Sequence, residues 1–221
     1  MTNVARLHYI PGAGSLAPHI LLEETGIEHE LVAVVKDDTG RIVAPVGYLE
    51  LNPAGRVPTI VWEDGCVQTE SAAICMTIGE RAADSGLVPA IGDPTRPDFL
   101  RRMMFLTNTV QVAILRARYP QRFVDGMDHQ AAVLAHAERE LAVLRKGCAG
   151  WYSTGAPFSG GEQPRVDDVY LAMLMRWTRL TSAPWWDDAV LSALFDRVFA
   201  LPSAQRALQQ EGIEARPPTG T

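Results

Sequence analysis

Hydrophobic and polar positions follow two different periods along this chain. Through roughly the first eighty residues, short apolar runs at strand spacing alternate with helical ones; from Arg96 onward only the helical spacing remains. Val4 to Ile10 predicts a strand, and the Pro-Gly-Ala-Gly that follows predicts a turn. A helix should start at once, with Ser15 as its N-cap, Pro18 tolerated in the first turn and Gly26 as its stop. Glu30 to Val35 reads as a second strand and Asp37 to Pro53 as an irregular stretch. Thr59 to Trp62 and Cys66 to Thr69 flank Glu63-Asp64-Gly65 as a hairpin, and Ser71 to Arg81 closes the unit as a helix.

The order strand, helix, strand, irregular segment, hairpin, helix is a βαβ unit joined to a ββα unit, the arrangement of a thioredoxin-like fold, with tight-hairpin geometry open to one consecutive strand pair. Helical periods then run through Phe99 to Tyr119, Asp128 to Cys148, Asp167 to Leu180 and Asp188 to Leu201, which makes the second half an all-α bundle. The prolines and glycines of the intervening stretch have linker composition. The expected division is therefore 1–83, a linker at 84–97, and 98–221.

Composition narrows the function by exclusion. Hydrophobic residues at 47% and charged residues at 21% describe an ordinary globular protein. A net charge of -6 with no dense basic stripe argues against a nucleic-acid partner. The apolar runs are too short to cross a bilayer, so no membrane partner is expected. Cys66, Cys75 and Cys148 form no CxxC and have no metal-like spacing with the histidines, so a reduced, cytoplasmic setting without metal or redox cofactor is the natural expectation.

Candidate chemistry concentrates in two places. The first is Asn52-Pro53-Ala54-Gly55-Arg56-Val57-Pro58, followed by the hairpin and by Glu70-Ser71 at a helix start. Pro58 lacks an N–H and forces Val57 to be extended, which leaves the main chain of Val57 free to pair with a peptide laid alongside. Ser71 offers a hydroxyl and free N–H groups at a helix N-terminus, where a carboxylate fits, and Glu70 suits an ammonium group. A carboxylate and an ammonium on one carbon make an amino-acid head group. Taken singly, Val-Pro is a strand entry and Glu-Ser a helix start; their order and spacing together favour a short peptide ligand.

The second place is Tyr9-Ile10-Pro11-Gly12-Ala13-Gly14-Ser15, where a strand end turns into a helix N-terminus. A free thiol with a pKa of ~8.5 is only a few per cent ionised at neutral pH, and lowering that value by two units takes about 2.7 kcal/mol. A helix terminus contributes roughly 0.3–2 kcal/mol and one hydrogen bond to a charged group roughly 1.5–3 kcal/mol, so both are needed. Ser15 can supply the hydroxyl, with Tyr9 as the reserve; the backbone N–H groups of Gly14 and Ser15 are a third source. Ser15 is also accounted for as a plain helix cap and Tyr9 as a core aromatic. His19, one turn beyond Ser15, can face the same site.

The segments YIPGAGSLAPHILLEETG, NPAGRVPTIVWEDG and QTESAAI resemble the glutathione transferase family, most closely its bacterial Beta-type branch. The resemblance implies that glutathione is the co-substrate, that Val57 holds its cysteinyl main chain beside a cis Pro58, and that Glu70 and Ser71 grip its γ-glutamyl group. It also implies conjugation of the thiolate to an apolar electrophile in detoxification, and a homodimer in which Gln111, with Thr107 and Asn108, reaches the partner's ligand. An alternative on the same scaffold is a glutathione-binding carrier with little turnover. Apolar residues such as Met103, Met104, Phe105, Tyr119, Trp177, Trp185 and Trp186 are candidates for an electrophile pocket or for plain core.

Two departures from the Beta pattern stand out. Gly14 occupies the position where that branch places a cysteine, which puts disulfide chemistry in doubt and passes the sulfur-stabilising role to Ser15. In the helix start after Gly161, Arg165 replaces the usual hydroxyl cap, so that capping bond is absent, with Asp167 and Asp168 available to compensate through the dipole.

Overall fold

The computed structural model describes residues 4–217, which fall into two compact units: the described residues through Val88 together with Leu201–Glu214, and Pro89–Ala200 together with the described residues from Ala215 on.

In the first unit, β1 (Ala5–Tyr9) leads through the Gly-rich turn into α1 (Leu16–Thr25), and β2 (His29–Ala33) returns parallel to β1. Strand β5 (Thr59–Val61) lies antiparallel on the other side of β1 and pairs in turn with β6 (Val67–Thr69), so the sheet order is β2-β1-β5-β6. Helix α3 (Ser71–Arg81) follows directly, and α1 and α3 pack against one another. Leu7, Ile20, Leu21, Ile60 and Ile74 are fully buried, so the helices and the sheet share one core. Helix α1 ends where Gly26 takes φ 68°, as the sequence predicts.

The irregular reading of 37–53 is too simple. It contains β4 (Ile42–Ala44), which pairs antiparallel with β3 (Val35–Lys36) just before the stretch, and a single helical turn, α2 (Tyr48–Leu51). Asp37 organises the connection by accepting from the Thr39 hydroxyl at 2.6 Å and from the Thr39 and Arg41 N–H groups at 3.0 Å, an Asx-type device that short strands conceal from periodicity.

The second unit is helical: α4 (Arg96–Phe105), a π-helical turn (Leu106–Val110) and α5 (Gln111–Arg118) run consecutively, followed by α6 (Met127–Gly150), α7 (Val166–Trp177) and α8 (Ala189–Ala200). Every residue of α7 is buried, as expected of a helix at the centre of a bundle. Asp168 holds its N-terminus by accepting from the Arg165 N–H at 2.8 Å, the Ser159 N–H at 2.9 Å and the Tyr152 hydroxyl at 2.8 Å. Arg165 has no side-chain acceptor with which to return the bond. The missing hydroxyl cap is thus compensated by direct hydrogen bonds as well as by the dipole.

Helix α9 (Pro202–Glu211) has no counterpart in the sequence-based division, which leaves 201–214 with the helical domain. It packs on α1 within the first unit. Its buried stripe of Ser203, Ala204, Ala207, Leu208 and Glu211 has one large apolar residue and two polar ones, so its apolar signal is weak. It is fastened by Arg206 Nε to Glu23 Oε2 at 2.6 Å and Gln210 Nε2 to Glu23 Oε1 at 2.9 Å.

Candidate functional site

The turn after β1, the 52–58 segment and the start of α3 converge on Gly14. A β-carbon placed on Gly14 would lie 2.8 Å from Ser71 Oγ, 3.4 Å from the Val57 carbonyl oxygen and 3.5 Å from Pro58 Cδ. Both sequence constellations therefore build one site inside the first unit, and the absence of a side chain at residue 14 is what allows the approach.

Each wall has a local cause. Asn52 Nδ2 and the Tyr48 hydroxyl both donate to the Arg56 carbonyl, Asn52 at 2.8 Å. The same two side chains meet Thr59 Oγ1, Asn52 at 3.1 Å and Tyr48 at 2.8 Å. Burial raises the Tyr48 phenol above its ordinary range, so it stays a donor. This clamp grips the chain on both sides of Val57-Pro58, whose peptide bond is cis as the resemblance implies. Val57 lies outside both strand ladders, and its N–H and C=O have no hydrogen-bond partner among the described residues. Of the clamp, the sequence reading identified only the Asn-Pro-Ala-Gly segment; Tyr48 and Thr59 carried no signal of their own.

Ser71 opens α3, is nearly buried and has no side-chain partner among the described residues. Glu70 precedes it, exposed, with φ 69° and ψ 110°, the one non-glycine residue with positive φ among those described. Such a conformation costs on the order of 1–3 kcal/mol and is retained where surrounding structure or function demands it.

Ser15 occupies the cap position of α1, but its side chain makes no capping bond. The expectation of a hydroxyl cap is not met, because the residue is already in helical conformation, φ -77° and ψ -16°, and its Oγ turns back to Ile10. There it accepts from the Ile10 N–H at 3.3 Å and donates to the Ile10 carbonyl at 3.2 Å. What the turn leaves open is backbone: Gly14 and Ser15 are buried, and neither N–H has a partner among the described residues. Buried N–H groups are paired in more than about nine cases in ten, so two adjacent ones at a helix start form a pair of donors suited to an anion. Tyr9, at the end of β1, is half-buried beside His19, with ring centroids 6.4 Å apart.

His19 does not present a free nitrogen. It is fully buried, with Nδ1 2.9 Å from Glu211 Oε1 and Nε2 2.6 Å from Gln210 Oε1. The other Glu211 oxygen accepts from the Gly12 N–H at 2.7 Å, so α9 braces the turn. Glu211 is a residue that sequence reasoning missed.

The cysteines are free, and their environments oppose nucleophilic chemistry in two of the three cases. Burial pushes the Cys75 thiol well up and Cys148 up to about 12; Cys66 is exposed on the hairpin. In the second unit, Gln111 starts α5 and accepts from the Tyr170 hydroxyl at 2.6 Å; Thr107 and Asn108 lie in the π-helical turn. Met103, Trp177, Trp185 and Trp186 are buried there, whereas Met104 is exposed.

Among known proteins, the family model described as "Glutathione S-transferase, N-terminal domain" matches residues 15–81. A relative named glutathione S-transferase GST-4.5, from Xanthomonas campestris, is 30% identical over 215 residues, covering 94% of this chain and 99% of the relative. The solved beta-class glutathione S-transferase of Sphingomonas chungbukensis is 27% identical with a TM-score of 0.78, covering 95% of this chain and 100% of that one. A sphingomonad glutathione S-transferase solved in complex with glutathione is 28% identical with a TM-score of 0.77, again covering 95% and 100%.

Proposed function

Because this chain belongs to the glutathione S-transferase family, we propose that it is a transferase that binds glutathione around Gly14 and directs the sulfur at an electrophilic carbon. The observation that carries this reading is the convergence on Gly14 of three features: two N–H groups and the main chain of Val57, none with a partner among the described residues, and the hydroxyl of Ser71. In kind they match an anionic sulfur, a peptide bond and a carboxylate, three of the polar parts of a γ-glutamyl tripeptide.

In this proposal, Ser71 and the N-terminus of α3 take the γ-glutamyl carboxylate and Glu70 its ammonium group. Val57, beside cis Pro58, pairs with the cysteinyl main chain. The thiol loses its proton to solvent, and the thiolate is held by the Gly14 and Ser15 N–H groups; Ser15 Oγ braces the turn, and Tyr9 is the reserve hydroxyl. The sulfur then attacks an electrophilic carbon, forming a C–S bond as the leaving group departs with the electron pair of the broken bond. The protein contributes thiolate population and proximity. Glutathione is a co-substrate, and no other cofactor enters the reaction.

The same reading extends to an apolar electrophile, a detoxifying role, a cytoplasmic setting and a homodimer. Free cysteines support a reducing compartment. Among the described residues no helix is long and apolar enough to cross a membrane. Gln111, whose carbonyl is occupied by Tyr170, keeps an amide NH2 to offer the glutathione bound by a second copy; sedimentation should find a dimer at micromolar concentration, and a monomer would remove that role.

Titration of bound glutathione, followed by thiolate absorbance, tests the central claim. The bound thiol should ionise about one to two units below the free value of ~8.5. Binding without any such shift would make the protein a carrier rather than a transferase.

A further inference from the structure

Three arginines gather around Tyr119 in the second unit. Arg118 closes α5, and its guanidinium carbon lies 5.2 Å from the centre of the Tyr119 ring; the Arg122 guanidinium carbon lies 3.8 Å from the same centre. Arg179 comes from the short turn that follows α7. Burial and, after it, the Arg118 charge lower the Arg179 pKa, with Tyr119 opposing the fall, so guanidinium groups from two separate elements stand close enough to repel. None of the three pairs with a carboxylate among the described residues, whereas Arg116 nearby has Glu140 at 3.1 Å. The Tyr119 hydroxyl has no hydrogen-bond partner among those residues either.

Helix ends make this gathering of like charges tolerable. Arg118 lies in the last turn of α5, and Arg179 donates to the Arg176 carbonyl in the last turn of α7 at 3.3 Å, so each sits where the dipole favours a cation. A single carbonyl takes little of the five-donor guanidinium fork, and most of each fork stays open. Arg118 and Arg179 are half-buried, which strengthens them as donors relative to fully solvated arginines. Arg179 also lines a cavity of about 560 Å³ whose wall includes Leu180, Pro184 and Trp186, with Asp187 in the same lining. Such a wall suits an aromatic body, and the Asp187 carboxylate opposes a second negative charge on the ligand.

We propose that Arg118, Arg122 and Arg179, with the Tyr119 hydroxyl, bind the carboxylate of a small aromatic monocarboxylic acid whose apolar body lies against Pro184 and Trp186. The site belongs to the second unit alone and does not depend on the glutathione chemistry. A planar carboxylate matches the guanidinium forks, and its charge relieves the repulsion between Arg118 and Arg179. That relief is a driving force that a lone surface arginine does not have. In a chain of net charge -6, the cluster is a local reversal of sign.

The test is calorimetry on the full chain, without glutathione, using cinnamate, its neutral analogue cinnamamide and inorganic phosphate as probes. Cinnamate should bind once per chain, about tenfold or more tighter than either of the others, and should weaken as salt is added. Arg118→Gln and Arg179→Gln should each weaken cinnamate by about tenfold or more and leave cinnamamide unchanged. Neither substitution should lower the melting temperature, because each removes a like charge rather than a partner; two variants on separate elements guard against a folding defect in one. Ser71→Ala, in the candidate glutathione site, should leave cinnamate affinity intact. The proposal is overturned if cinnamate binds no tighter than cinnamamide, if both folded arginine variants bind it like the parent, or if Ser71→Ala weakens it as much as they do. Phosphate binding as tightly as cinnamate would equally overturn the aromatic acid as the ligand.

Discussion

The Glu211 carboxylate accepts a 2.7 Å hydrogen bond from the N–H of Gly12, so the turn that delivers Gly14 and Ser15 is fastened to the last turn of α9. The other carboxylate oxygen meets His19 with both side chains fully buried. Deleting one partner of a buried hydrogen-bonded pair costs about 1–3 kcal/mol, because the remaining polar group is stranded. Glu211→Ala should therefore lose stability of that order in urea denaturation and weaken glutathione binding as well. Leu208→Ala, which removes apolar packing from the same helix, should lose stability without a comparable loss of affinity. Equal affinity losses in the two variants would show that the Gly12 bond has no special role in the site.

The 2.8 Å separation between Ser71 Oγ and a β-carbon on Gly14 makes a second prediction. Gly14→Ala should displace the Ser71 hydroxyl, the movable partner, and weaken glutathione binding by about 1–3 kcal/mol with little change in melting temperature. Ser71→Ala should cost a similar amount by deleting the hydroxyl directly. If both act on one contact, the double variant should be no worse than either single one. Additive losses in calorimetry would mean that Gly14→Ala acts through the backbone instead.

The acidic pair at the start of α7 predicts a pH dependence. Burial, reinforced by the neighbouring Asp168 charge, raises Asp167 to about 7, with Ser159 and Arg102 opposing the rise. A carboxyl whose folded pKa lies above its unfolded value of 3.8 stabilises the fold fully below that value, and the contribution is lost as pH rises through about 7. Relative to Asp167→Asn, the parent protein should lose on the order of a few kcal/mol between about pH 5 and about pH 8. Parallel pH profiles for the two proteins in thermal melts would refute the assignment.

Legibility of the fold in the sequence followed the strength of local signals. Ser71–Arg81 was readable to the residue because a hairpin with Gly65 in the turn, at φ 83°, leads straight into it. Helix α9 was not, since its buried face of Ala204, Ala207 and Leu208 gains meaning only against α1, far away in the chain. In the candidate site, residue types are legible and geometry is not: Ser15 reads as a hydroxyl aimed at a ligand, yet in the folded turn it points to Ile10.

The last prediction separates the Ser15 hydroxyl from the Ser15 N–H. With Oγ already engaged at both polar groups of Ile10, Ser15→Ala should raise the pKa of bound glutathione by less than about one unit, chiefly by loosening the turn. Ser15→Pro deletes hydroxyl and N–H together, and the native φ of -77° lies within the range proline adopts, so the helix start can accept it. Losing one N–H bond to the thiolate should remove roughly 1.5–3 kcal/mol, which is a rise of about one to two units, and turnover at neutral pH should fall about ten- to a hundredfold. Glutathione affinity measured at low pH, where the sulfur is protonated, should stay nearly intact in both variants, because Glu70, Ser71 and Val57 are untouched. Thiolate absorbance during a pH titration reads both shifts directly. If Ser15→Ala already produces the full rise, the hydroxyl leaves Ile10 for the sulfur when glutathione binds, and the backbone assignment fails; if neither variant moves the pKa, Tyr9→Phe becomes the variant that must.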